Sequence, residues 1–162
     1  MLEEQLLDPH FHDRRAFASG VSALNEYLRR FALQQSKKGI AVVRVLVDTN
    51  TPKDILGYYS LSAAQIDADQ MDGRTQQKLP RYPVPCFRLG RLAVHSDHHG
   101  RGWGGLLMGC AMERCLAAKK HVAAYALVVD AKGENAKSFY EHYGFNPCRD
   151  NPMTLYLPLG AR

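Results

Sequence analysis

The chain has 162 residues, 46% of them hydrophobic and 23% charged, which suits one globular domain with one core, residues 1–162. No stretch reaches the roughly 18 consecutive apolar residues of a membrane span, and the opening MLEEQLLDPH has no apolar run and is not a secretory signal, so a cytoplasmic location is expected. A net charge of +5 and a pI near 9.1 permit a polyanionic partner without requiring one.

Four cysteines, Cys86, Cys110, Cys115 and Cys148, form no C-x-x-C pair, which excludes a zinc ribbon and a thioredoxin-type motif. They read as small core or surface residues with free thiols.

Along the chain, residues 22–36 (SALNEYLRRFALQQS) predict an amphipathic helix. Leu24, Tyr27, Leu28, Phe31 and Gln35 recur at helical spacing, and Arg29 and Arg30 fall on the wet side. Ser22 is the expected N-cap and Gly39 the stop. Residues 40–47 (IAVVRVLV) predict a strand, and residues 55–64 (ILGYYSLSAA) its antiparallel partner after a turn containing Pro52.

A short helix is expected around 69–78, and no regular structure in 80–85 (PRYPVP). Residues 86–94 (CFRLGRLAV) predict a central strand. The loop His95–Gly102 follows, then a helix from Trp103 to about Lys119 with Leu106, Leu107, Cys110 and Ala111 as its buried stripe. A second central strand is expected at 122–129, a helix at 133–143 and a last strand at Thr154–Leu159. This order predicts a mixed α/β sheet with helices packed on it.

The most informative segment is 89–107, LGRLAVHSDHHGRGWGGLL. An apolar strand leads through a loop into Gly100, Gly102 and Gly104 at a helix start. Glycines allow positive φ and close backbone approach. The free N–H groups of the first helical turn, with the helix dipole behind them, suit a pyrophosphate. A glycine-rich turn without a ligand is the competing reading. A Walker loop is excluded because no Lys-Ser/Thr follows the glycines. A dinucleotide site is disfavoured because the loop comes late in the chain.

His99-Gly100-Arg101-Gly102-Trp103-Gly104 resembles the pyrophosphate loop of the GNAT acetyltransferases, Gln/Arg-x-x-Gly-x-Gly/Ala, with His99 a departure from the usual Gln or Arg. Asn135-Ala136-Lys137-Ser138-Phe139-Tyr140-Glu141, with Gly144-Phe145, resembles the second half of that signature. The resemblance implies acetyl-CoA as co-substrate and a mostly antiparallel sheet splayed between strands 86–94 and 122–129. In that arrangement Leu92, Ala93 and Val94 carry the pantetheine arm, and Leu92 and Val94 bond it through their main chains. The segment His99, Gly100, Arg101, Gly102, Trp103 and Gly104 holds the pyrophosphate, and Asn135 also contacts the cofactor.

Acetyl transfer to an amine needs a neutral nucleophile and a proton for the departing thiolate. A tyrosine, with pKa near ~10, is a competent donor. In the family the tyrosine of the Phe-Tyr pair often has this role, which points to Tyr140 as the catalytic residue, with Phe139 as the buried member of the pair. The competing reading is a tyrosine that packs helix against sheet.

No dedicated base stands out. Glu113 and Glu141 read as solvated, and Asp130 ends a strand as a weak candidate. His95, His98 and His99 invite a metal reading, but no fourth ligand lies nearby. No metal is expected, and they read as solvated loop histidines or as one contact to the acceptor.

FASGVSALNEYLRRFALQQSKKG, GYYSLSAAQI, VVDAKGENAKSFYEHYGF and LYLPL resemble a narrower group, the bacterial GNAT toxins of toxin–antitoxin pairs. That resemblance implies acetylation of the α-amino group of aminoacyl-tRNA, a block of translation, a homodimer and a ribbon-helix-helix antitoxin. The ester lowers the basicity of the acceptor amine, so a strong base is unnecessary. Lys37, Lys38, Arg81, Arg88, Arg91 and Arg101 are available for phosphates, and Lys37, Arg81 and Arg91 are the candidates for tRNA contact. Transfer to a small amine or a protein lysine is the alternative enzyme. A coenzyme A-binding regulatory module without turnover is the alternative outside enzymes.

Overall fold

Val42–Asp48 reads VVRVLVD, and its β-branched residues favour a pleated strand. The computed structural model describes residues 1–81 and 83–160, and this segment is its strand β2. β1 (Leu2–Leu6) and β3 (Gly57–Ile66) flank β2, both antiparallel to it. With β4 (Val84–Val94), β5 (Ala126–Asp130), β6 (Asn146–Pro147) and β7 (Thr154–Pro158) they form a seven-stranded sheet of order β1-β2-β3-β4-β5-β7-β6.

The β4–β5 step is parallel, from Cys86↔Ala126 to Leu89↔Val129, whereas β5–β7 and β6–β7 are antiparallel. β4 runs on to Val94, past the end of that parallel register, as a sheet that splays there requires. The helices are α1 (Ser22–Glu26), a π turn (Tyr27–Phe31), α2 (Ala32–Lys37), α3 (Gly73–Gln76), α4 (Trp103–Ala118) and α5 (Glu134–His142). The mixed, mostly antiparallel sheet flanked by helices is as expected. No helix among the described residues is long and apolar enough to cross a membrane.

The chain divides into two compact units, Met1–Ser62 with Gly90–Glu113, and Ala63–Leu89 with Arg114–Arg162. The core of the first gathers Phe17, Tyr27, Leu28, Ala32, Val43, Val45, Tyr58 and Ala93. Gly57 is required there. A Cβ on it would sit 2.9 Å from the Ala93 carbonyl oxygen and 2.9 Å from Leu107 Cδ1. The core of the second gathers Met71, Cys86, Ala126, Val128, Cys148 and Tyr156. Burial raises the Cys86, Cys115 and Cys148 thiols to about 11, 12 and 11, so at neutral pH they are inert packing groups.

Several expectations need correction. Val84 and Pro85 open β4, although 80–85 reads as irregular. A proline near a strand start forfeits only its N–H, and the Pro85 carbonyl accepts the Tyr125 N–H at 2.8 Å. Tyr82, within that run, lies outside the described residues.

β5 starts at Ala126 and not at 122, because the Val122 N–H bonds back to the Ala118 carbonyl (3.0 Å) and Val122 stays 68% exposed. Ser22 is the first residue of α1. Val21 is the cap and makes no side-chain cap bond. Gly39 does stop the helix, at φ 71°, with the Ile40 N–H donating to the Gln35 carbonyl and the Gly39 N–H to that of Ser36.

The π turn inserts one residue, so Ala32 (0% exposed) takes the core position expected for Phe31, which is 44% exposed. On α4 the buried stripe is Leu107, Met108, Ala111 and Cys115, while Leu106 is 42% exposed.

Candidate active site

The glycine loop is built within the first unit. β4 ends at Val94, and two main-chain bonds pin the next two residues. The His95 N–H donates to the Leu56 carbonyl and the Ser96 N–H to the Ala18 carbonyl, both at 2.8 Å. A single turn of 3₁₀ helix, Ser96–His98, leads to Gly100 at φ 84° and Gly102 at φ 78°. Nothing lies within 4 Å of the position where a Cβ would stand on either.

α4 begins at Trp103, with the Leu106 N–H bonded to the Gly102 carbonyl. The N–H groups of Trp103, Gly104 and Gly105 are those that helix geometry leaves without an intrahelical acceptor. No acidic residue lies between Asp97 and Glu113. Open backbone, orphan donors, a helix dipole and an absence of competing carboxylates fit a pyrophosphate.

The histidines do a different job from the one expected. Phe17, His95, His98 and Trp103 form a ladder of rings, with successive centroids 5.7, 5.9 and 4.6 Å apart. It ties the core to the first residue of α4. His95 and His98 are half-buried and not solvated, because their rings fill this ladder. The exposed His99 turns its Nε2 to the Val94 carbonyl (2.9 Å), which takes one lone pair of a residue whose main chain is expected to bond the pantetheine arm. Leu92 is half-buried and Ala93 buried. Arg101 reaches over Trp103, its guanidinium carbon 5.6 Å from the ring centroid.

Tyr140 belongs to the second unit. Its ring is buried (7% exposed) and Phe139 is only half-buried, the reverse of the expected pair. The Tyr140 ring packs edge-on against Phe139 and Phe145 at 5.3 and 5.5 Å. Gly144, at φ 94°, turns the chain after α5 so that the Phe145 N–H returns to the Tyr140 carbonyl (3.2 Å).

The Tyr140 hydroxyl has no hydrogen-bond partner among the described residues and is not among the fully buried unpaired atoms. An apolar ring thus presents a free donor at its tip. Burial, and then the charge of Asp130, push its pKa up to about 12, so it stays protonated across the physiological range.

Asp130 is committed elsewhere. It accepts from the Arg88 guanidinium and from Thr154 Oγ1 (2.8 Å). That removes it as a free base and Arg88 as a free phosphate ligand. The alternation of β4 and β5 gives no sign of this ion pair, because Arg88 lies directly opposite Val128. Glu113 and Glu141 are exposed, and Asn135 is exposed in the first turn of α5. Among the described residues no cluster of three or more His, Cys, Asp or Glu is arranged to hold a metal ion.

Of the tRNA candidates, Lys37 is exposed at the end of α2. Arg81 is exposed and lines a concavity of about 640 Å³ together with Asp67 and Asp69, which weaken its pull on a phosphate. Arg91 is half-buried on β4, with its guanidinium carbon 3.9 Å from the centroid of the Tyr27 ring.

Comparison with known proteins extends this picture. Residues 45–147 match the family model described as an acetyltransferase (GNAT) domain. The chain is 32% identical over 145 residues to the tRNA-acetylating toxin of Mycobacterium tuberculosis, covering 90% of this chain and 85% of that one. Among solved structures, AtaT complexed with acetyl-methionyl-tRNAfMet superposes with a TM-score of 0.91 at 29% identity, covering 98% of this chain and 95% of that one. A mutant AtaT toxin bound to the C-terminus of the antitoxin AtaR and acetyl-CoA gives a TM-score of 0.83 at 28% identity, covering 98% and 93%.

Proposed function

Because the chain belongs to the GNAT acetyltransferase family, we propose that it is a toxin that moves acetyl from acetyl-CoA to the α-amino group of aminoacyl-tRNA and so stops translation. The observation that carries this reading is its near-complete overlap with AtaT carrying acetyl-methionyl-tRNAfMet. The tRNA-acetylating toxin of M. tuberculosis supports it. The reading treats residues 1–162 as one catalytic domain, which the family match over residues 45–147 supports.

Acetyl-CoA supplies the activated acyl group as a thioester. The backbone N–H groups of Gly100–Gly104 and the start of α4 hold its pyrophosphate, and Leu92–Val94 flank its arm. The neutral amine attacks the thioester carbonyl. Tyr140, protonated and with no hydrogen-bond partner among the described residues, donates its proton to the sulfur as the C–S bond breaks, and the proton released by the acylated nitrogen restores the phenol through solvent. No strong base is asked of the protein, because the α-amine of an aminoacyl ester is partly neutral near pH 7–8. We also propose a homodimer and a ribbon-helix-helix antitoxin. The antitoxin AtaR bound to AtaT supports an antitoxin partner, of whatever type.

Expression of the chain alone should arrest growth, with N-acetylated aminoacyl-tRNA accumulating. A small ribbon-helix-helix protein from the adjacent reading frame should lift the arrest. Arrest without acetylated aminoacyl-tRNA would contradict the reading.

A further inference from the structure

Three arginines lie in the strands, and two have spent their charge. Arg44 pairs with Glu4, and Arg88 with Asp130. Arg91 has no ion pair and no hydrogen bond to protein among the described residues. It is nevertheless held in place. Its guanidinium lies over the face of Tyr27 at 3.9 Å, and Tyr27 is fixed in turn by burial and by its hydroxyl donating to Gln35 Oε1 (2.8 Å).

Stacking uses the face of a guanidinium and leaves its N–H donors free around the edge. None of those donors is a fully buried unpaired atom, so they open to solvent. A half-buried cation, oriented by an aromatic ring and with an unused fork of donors, is preorganised for a tetrahedral oxyanion. Arg91 also directly precedes Leu92–Val94, the stretch of β4 assigned to the acetyl-CoA arm. Gly90, just before it, is kept small by Ser60, whose Oγ would lie 2.9 Å from a Cβ.

We propose that Arg91 binds the phosphodiester next to the aminoacylated 3′-terminal adenosine, which makes it a specificity residue for the acceptor. The proposal rests on the tRNA reading above. Its test uses two small acceptors: the aminoacyl ester of cytidylyl-adenosine, with one phosphodiester, and aminoacyl-adenosine, with none. The wild-type protein should prefer the first in kcat/KM by on the order of ten- to a hundredfold, the value of a charge-assisted bond.

Arg91→Gln should collapse that preference toward unity. Arg91→Lys, which keeps the charge but not the fork, should keep part of it. Equal losses on both esters in the two variants, or an intact preference in either, would overturn the assignment and leave Arg91 a packing group. If the wild type acetylates charged tRNA but shows no preference between the esters, Arg91 fails and the tRNA reading stands. If it acetylates neither ester nor charged tRNA, the tRNA reading itself fails.

Discussion

Tyr140 joins a buried ring to a hydroxyl without a hydrogen-bond partner among the described residues, and burial pushes its pKa up to about 12, so the hydroxyl keeps its proton. Tyr140→Phe should therefore keep acetyl-CoA affinity and neutral-pH stability, since no hydrogen bond to a described residue is lost, while kcat falls by about 10²–10⁴. Steady-state kinetics beside calorimetry checks this. A kcat within a few-fold of wild type would return Tyr140 to packing.

The raised pKa of Tyr140 also links stability to pH. The folded state holds the phenolic proton more tightly than the unfolded chain, whose pKa is near ~10. The associated stability is complete below pH ~10 and is lost as pH rises toward 12. Denaturant titrations above pH 10 should show a shallower decline for Tyr140→Phe than for wild type.

Much at this scale is legible in the sequence, because Tyr140 and Gly100–Gly104 stand in spaced motifs. The Arg88–Asp130 pair and the ladder of rings are not. Both depend on strand register and loop closure, which residue spacing does not encode.

The glycine loop and α4 act as one element. Gly100 and Gly102 hold positive φ, and the helix behind them supplies the field. A substitution pair at Gly102 separates shape from charge. Asn and Asp tolerate its left-handed backbone about equally, but Asp brings a negative charge to the place assigned to the pyrophosphate. Gly102→Asp should bind acetyl-CoA far more weakly than Gly102→Asn in calorimetry, with no comparable loss of melting temperature, because an acidic group at a helix N-terminus stabilises the fold. Equal affinities would move the phosphates elsewhere.

Elements are legible to different degrees. The helix over 22–36 shows in its apolar spacing, but the π turn that swaps Phe31 for Ala32 arises from packing. β1 reads LEEQL, three polar residues between two leucines, without the apolar alternation of a half-buried strand. β6 is only Asn146–Pro147. Both sheet edges therefore escape a reading of the sequence, since such short segments gain their strand character from the neighbour they pair with.

At the scale of the whole molecule, the order of elements specifies the architecture. Only the sheet order shows that the final strand, β7, inserts between β5 and β6. The net charge of +5 supports attraction to tRNA without fixing where it lands. One arginine that looks available in the sequence, Arg88, is committed to Asp130.

The central claim is that the acetyl group goes to the amine of a charged tRNA. The most direct measurement incubates the purified chain with labelled acetyl-CoA and with either charged or deacylated tRNA, then recovers the tRNA. The account predicts label on the charged tRNA alone, released by mild base as N-acetyl amino acid, because only the charged 3′ end presents an aliphatic primary amine. Charged tRNA without label, alongside a polyamine or lysine peptide that is labelled, would contradict it.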